Sequence, residues 1–197
     1  MDDAASGEGD ASSILDAAEQ KIYDIRQGKD TGGPTKVSEV IVNGVYDRLG
    51  KLTGEDKEKY KGIPTGFGLL DTYITGLNKS DFILIGARPA MGKTSFALNL
   101  ASNVSMMARK KCVFFSLEMT KEQLAERLLA SQAGVPSHKL RTGELDNDEW
   151  VRLGNAAGQF NDVELYLDDT SSITVPEIKS RVRRMKDVDV IMIDYLA

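Results

Sequence analysis

The sequence predicts an α/β domain with a mainly parallel sheet, preceded by a helical linker segment. Short apolar runs near 82–86, 112–116, 163–167 and 189–193 alternate with helix-like stretches near 93–108, 121–133, 146–158 and 174–186. That alternation is the mark of βαβ units, whose right-handed crossovers lay helices over parallel strands. The first apolar run, Phe82-Ile83-Leu84-Ile85, also passes through a short Gly-containing loop straight into a helix-like run, Ser95-Phe96-Ala97-Leu98-Asn99-Leu100-Ala101. Hydrophobic residues make up 41% of the chain and charged residues 28%, so a soluble core can form.

Residues 1–11 are small and acidic and are expected to be disordered. Residues 12–28 read as a linker helix. Ile14, Leu15, Ala18, Ile22 and Ile25 share one face, Ser12 or Ser13 can cap it, and Gly28 can end it. Residues 29–61 form a linker holding a second helix from about Val37 to Leu52. Its apolar stripe is Val37, Val40, Ile41, Val45, Leu49 and Leu52, and Gly44 weakens its middle. The globular domain is expected over 62–197. An isolated helix as short as 12–28 is marginal in water, so its apolar face needs a partner surface. Two surfaces are open to it, its own domain or a neighbouring copy. The linkers on both sides favour the copy, which would tie subunits into a ring or filament.

The loop reads Gly86-Ala87-Arg88-Pro89-Ala90-Met91-Gly92-Lys93-Thr94. A strand, a Gly-containing loop ending in Gly-Lys-Thr and then a helix is the phosphate cradle of P-loop NTPases. A helix start presents unpaired N–H groups and a positive dipole end to phosphate. Gly92 lets the backbone wrap closely, Lys93 sets a charge on the β- and γ-phosphates, and the Thr94 hydroxyl suits Mg²⁺. The expected cofactors are therefore ATP or another nucleoside triphosphate with Mg²⁺. The expected cradle comprises Arg88, Pro89, Ala90, Met91, Gly92, Lys93, Thr94 and Ser95. The usual first glycine is replaced by Ala87, which is tolerable where φ is negative. Arg88 has three open roles: touching phosphate, touching a neighbouring subunit, or standing in solvent.

Glu118, in Ser116-Leu117-Glu118-Met119, follows the second strand, at the sheet edge where ligands of open α/β sheets sit. A carboxylate there is placed to polarise an attacking water, against the plainer reading of a solvated residue ahead of a helix capped by Thr120. Asp189-Val190-Ile191-Met192-Ile193-Asp194 is an apolar strand ending in Asp194, the Walker B pattern, which reaches Mg²⁺ directly or through water. Asp168-Asp169-Thr170 suits a turn that caps the helix after Ser172, or an approach to the nucleotide or to a DNA loop. Arg181, Arg183, Arg184 and Lys186 suit a solvated helix end, with DNA contact as the alternative. His138 and Trp150 read as structural.

The net charge of −5 is no electrostatic footprint for nucleic acid on this chain. The single cysteine, Cys112, excludes a disulfide framework and suits a small buried thiol. The acidic N-terminus is no secretory signal, and no apolar run reaches membrane-spanning length. The expected location is cytoplasmic, with no membrane partner.

With these residues in place, the chain resembles the bacterial replicative DNA helicases of the DnaB family, whose motor is RecA-like. Gly62-Ile63-Pro64-Thr65-Gly66-Phe67 with Leu70-Asp71, Ala87 through Thr94, and Phe115-Ser116-Leu117-Glu118-Met119 carry the resemblance. So do Leu140-Arg141-Thr142-Gly143, Asp168-Asp169-Thr170 and Ile193-Asp194-Tyr195-Leu196. It implies a hexameric ATP-driven motor on single-stranded DNA, with a primase and a helicase loader as partners. It implies that helix 12–28 docks on the adjacent subunit. It gives Lys93 and Thr94 to phosphate and Mg²⁺, Glu118 to water activation and Asp194 to Mg²⁺. The family continues beyond the Asp-Tyr-Leu element, so the chain reads as a fragment, truncated at Ala197, without the DNA loops and Arg finger. Such a fragment is expected to bind ATP, hydrolyse it poorly and not unwind DNA alone. The competing readings are a RecA-like recombinase or mediator, which shares the cradle and the strand-end Glu, and a non-catalytic nucleotide-gated assembly module, which needs no polarising carboxylate.

Overall fold

A computed structural model describes residues 33–54, 61–79 and 81–195. The chain divides into two compact units, Met1–Tyr60 and Lys61–Ala197. The expected helix 12–28 and the tail before it lie outside the described residues.

In the first unit the expected second helix forms, but not as one uniform α-helix. It runs as α1 (Val37–Val40), a π-helical stretch (Ile41–Val45) and α2 (Tyr46–Thr53). Gly44 lies in the widened stretch, where a residue with low helix preference holds the backbone least firmly. Its apolar stripe is solvent-facing at Val37, Val40, Ile41, Val45 and Leu49.

The second unit contains α3 (Gly68–Ile74), α4 (Lys93–Met106), β1 (Cys112–Ser116), α5 (Lys121–Ala133) and α6 (Ser137–Thr142). There follow α7 (Asn147–Gln159), β2 (Leu165–Asp168), α8 (Val175–Met185) and β3 (Val190–Asp194). The strands form a parallel sheet in the order β2-β1-β3, with Phe115 opposite Asp168 and Ser116 opposite Asp194. β1 is buried along its whole length. Cys112 and Phe114 enter one core with Leu98, Leu100, Ala101, Val104, Leu124 and Leu128 from α4 and α5. Val113 and Phe115 enter the other with Ile173 and Ile178. Helices therefore cover both faces, and a central parallel strand reads as an unbroken apolar run for that reason.

The helix starts follow local chemistry. Thr120 with Gln123, Asp146 with Glu149, and Thr174 with Glu177 each form a reciprocal cap. Gly134 and Gly143 close α5 and α6 in the left-handed conformation. The segment before the loop is fastened to α3 and α4. The Thr65 N–H donates to Asp71 Oδ1 at 2.9 Å, Asn103 Nδ2 donates to the Thr65 carbonyl at 3.1 Å, and Phe67 stacks on Phe96 with centroids 5.0 Å apart. Ile63 and Leu77 form an antiparallel bridge, and a Cβ on Gly62 would meet the Gly76 backbone at 2.6 Å. Only glycine permits that approach.

Several expectations change. The strand expected at 82–86 does not form: the segment joins no ladder, and Phe82 and Leu84 are each 80% exposed. An apolar run supplies strand preference, but a ladder also needs an adjacent strand, and neither β2 nor β3 pairs with it. Trp150, read as structural, is 61% exposed on α7, because that helix turns Leu153 and Ala156 inward instead. The short helices α3 and α6 fall in stretches read as motif or connection. Arg181 is not part of a solvated face: it pairs with Asp168 across β2 and α8. The cap of α8 is Thr174 rather than the Asp168-Asp169-Thr170 turn.

Candidate functional site

The site lies at the carboxyl ends of β1 and β3, where α4 begins. Gly92 adopts φ 86 and Ala90 φ 63, and Ala87 is not among the left-handed residues, so its Cβ is tolerated as the sequence reading required. Phe96 N–H already bonds to the Gly92 carbonyl, which places Lys93 and Thr94 in the first turn of α4. Their side chains converge on Asp194 at the end of β3. Lys93 Nζ lies 2.8 Å from Asp194 Oδ1, and Thr94 Oγ1 donates to Asp194 Oδ2 at 2.6 Å. Asp194 is 6% exposed, so both bonds compensate a buried carboxylate. The hydrogen bond to Asp194 raises the Lys93 ammonium above its ordinary value against the opposing effect of burial, and Glu118 and Asp194 raise it further through space. Lys93 Nζ also lies 4.4 Å from the Tyr195 ring centroid.

Glu118 sits two residues past the end of β1, beside the neighbouring strand that carries Asp194. It is exposed and lies ahead of the Thr120 cap, outside α5. The turn that carries it is held by Ser116, whose Oγ accepts from Met119 N–H and donates to the Met119 carbonyl.

A groove of about 1220 Å³ opens over these residues. Of the expected cradle, Arg88, Pro89, Ala90, Gly92, Lys93, Thr94 and Ser95 line it together with Glu118. Met91 does not, and its side chain is 73% exposed. The groove also takes in Gln123, Arg127 and Arg141, which were not singled out as site residues. Arg141 had a signal, its place in Leu140-Arg141-Thr142-Gly143, whereas an arginine on an exposed helix face such as Arg127 carries none. Arg88, Arg127 and Arg141 make no ion pair or hydrogen bond among the described residues, which leaves three guanidinium groups on the groove without an anionic partner. Ser131 Oγ donates to Asn99 Oδ1 at 3.2 Å, joining α5 to α4 at the groove wall.

Away from the groove, Asp168 accepts from Thr170 and Arg181. Burial raises this carboxyl, but those hydrogen bonds outweigh it and hold it below the usual range. Lys139 lies 2.6 Å from Glu149, which is buried at the start of α7. His138 is exposed.

A helix start bearing Lys-Thr against an Asp at a neighbouring parallel strand end, with a Glu at the next, defines a P-loop NTPase of the RecA-like type. The solved structure of a DnaB-like replicative helicase studied with primase aligns with TM-score 0.73 and 27% identity, over 94% of this chain and 46% of that one. A second solved structure, an ATPase domain, aligns with TM-score 0.71 and 30% identity, over 83% of this chain and 58% of that one. Residues 62–197 match the DnaB-like helicase C terminal domain, and the chain belongs to that family. It is 39% identical over 186 residues to the replicative DNA helicase DnaB of Geobacillus stearothermophilus. It is 38% identical over 197 residues to the replicative DNA helicase DnaC of Bacillus subtilis. These alignments cover 93% and 98% of this chain but 40% and 43% of the relatives, so the chain spans about two fifths of their length. Among the described residues no helix is long and apolar enough to cross a membrane.

Proposed function

We propose that this chain is the ATP-hydrolysing motor of a replicative DNA helicase, acting within a ring of copies on single-stranded DNA. The observation that carries the reading is the convergence of Lys93 and Thr94 on Asp194, with Glu118 at the adjacent strand end. Lys93, Gly92 and the first turn of α4 bind the phosphates through charge and N–H groups. The three unpaired arginines on the groove add positive charge for a polyphosphate. Thr94 and Asp194 fit Mg²⁺: they are hard oxygen donors within 2.6 Å of each other. Bound there, the cation would neutralise phosphate charge as the γ-phosphoryl leaves. Glu118 makes no hydrogen bond or ion pair among the described residues and feels Lys93 only through space, so its carboxylate oxygens are available to orient and polarise the attacking water.

The relatives extend well beyond the stretch matched here, and we assign the DNA-contacting loops and the Arg finger to the remainder. We assign residues 12–28, outside the described residues, to docking on the adjacent copy, and a hexamer with primase and loader as partners belongs to the same proposal. The test is ATP-dependent unwinding of forked DNA by the full-length protein, wild type beside Glu118→Gln. Unwinding and turnover by the wild type, with turnover reduced about a hundredfold or more in the variant, is the expected result. Turnover without unwinding would move the reading to a recombinase or mediator. Nucleotide binding without turnover by the wild type would leave an assembly module, and turnover unchanged by Glu118→Gln would take water activation away from Glu118.

A further inference from the structure

Asp169 is the member of the Asp168-Asp169-Thr170 motif for which neither the groove nor the turn accounts. Asp168 is bonded within the turn by the Thr170 N–H and hydroxyl, and it is paired with Arg181 of α8. Asp169 instead reaches out of its own loop. Its Oδ2 accepts the N–H of Lys121, the first residue of α5, at 3.1 Å, and its Oδ1 lies 4.0 Å from Lys121 Nζ.

That bond matters because of what lies three residues earlier. Glu118 has no hydrogen bond or ion pair among the described residues, so its own contacts cannot aim it. Its backbone must do so, and the turn Ser116–Thr120 sits between the ends of the two strands that flank β1. On the β3 side, Leu117 N–H donates to the Asp194 carbonyl at 2.8 Å. On the β2 side, the tie is the Asp169 carboxylate at the start of α5. It is a charge-assisted bond to one of the orphan N–H groups of a helix start, on the positive end of the dipole. The Thr120–Gln123 cap satisfies a different donor and stays within the segment, so it cannot fix α5 to the sheet.

We propose that Asp169 is a positioning residue for ATP hydrolysis. By holding the start of α5 against the end of β2, it sets the direction in which the turn presents Glu118. This inference rests on the assignment of water activation to Glu118. A misplacement of about an ångström at such a group costs up to about a hundredfold in rate, and loss of one of two ties is expected near the lower part of that range.

The experiment is steady-state ATP turnover by the full-length protein on single-stranded DNA, with nucleotide affinity measured separately by fluorescent-analogue titration. Asp169→Ala is expected to lower kcat about tenfold with nucleotide affinity unchanged. Asp169→Asn keeps an acceptor oxygen for the Lys121 N–H and is expected to stay close to wild type. Asp169→Ala added to Glu118→Gln is expected to cost nothing further, since the residue acts through Glu118. Amide exchange at Lys121 is expected to speed up in Asp169→Ala. A normal kcat in Asp169→Ala beside an inactive Glu118→Gln would overturn the inference alone, as would a loss that adds fully to that of Glu118→Gln. Unchanged turnover in Glu118→Gln would remove both the inference and the site assignment beneath it.

Discussion

Lys93 and Asp194 are a hundred and one positions apart in sequence and 2.8 Å apart in space. Each residue type was legible alone: a lysine after glycine at a helix start, an aspartate ending an apolar run. Their chemistry predicts unequal consequences of loss. Lys93→Ala removes the charge proposed to meet phosphate and leaves a buried carboxylate with only Thr94 as its described donor. A charge-assisted hydrogen bond contributes about 1.5–3 kcal/mol, so ATP affinity is expected to fall by about tenfold or more, read by fluorescent-nucleotide titration. Arg127 and Arg181 were not legible at this scale. An arginine on a helix carries the same symbol whether it faces solvent, the groove or Asp168, and only packing decides which.

At the scale of elements, most helices could be placed because their ends are written locally. Thr120, Asp146 and Thr174 each stand three residues before Gln or Glu, and Gly134 and Gly143 stand where α5 and α6 stop. The segment 82–86 marks the limit of that legibility. Its apolar run demands burial without naming a partner, and pairing is a property of the neighbouring strand. Gly62 shows the same dependence on distant residues. It looks like a flexible turn residue, yet its requirement comes from the backbone of Gly76. Gly62→Ala is expected to push the Ile63–Leu77 bridge apart and destabilise the second unit by about 1–3 kcal/mol, measured by urea unfolding. Gly68→Ala is the control, since a Cβ there meets nothing within 4 Å.

At the scale of the whole second unit, carboxylates tie elements together and fix a helix start. Glu149 links α7 to Lys139 of α6, Asp168 links β2 to Arg181 of α8, and Glu177 caps α8 through Thr174. The hydrogen bond from Lys139 holds Glu149 below the usual carboxylate range, and the bonds from Thr174 do the same for Glu177. Asp168 is also depressed, its bonds from Arg181 and Thr170 outweighing burial. A carboxyl depressed in the folded state adds stability that is complete above its unfolded pKa of about 4 and is lost as pH falls through the lower folded value. Urea midpoints are therefore expected to hold from pH 7 to about 5 and to drop below about pH 4. Glu149→Gln is expected to be less stable at pH 7 and to show a shallower fall in acid.

The sequence by itself determined the class of fold, the loop that starts α4, and the candidacy of Lys93, Thr94, Glu118 and Asp194. Each of these depends on short-range order: a period, a cap, a loop leading into a helix, a charged residue after an apolar run. Only the tertiary structure decided that Asp194 holds both Lys93 and Thr94, that Arg127 and Arg141 share the groove, and that Asp169 reaches the start of α5. Those are meetings between residues far apart in the chain. Burial and charge compensation select among such meetings after the sheet has brought its strand ends together, and no local pattern records the outcome.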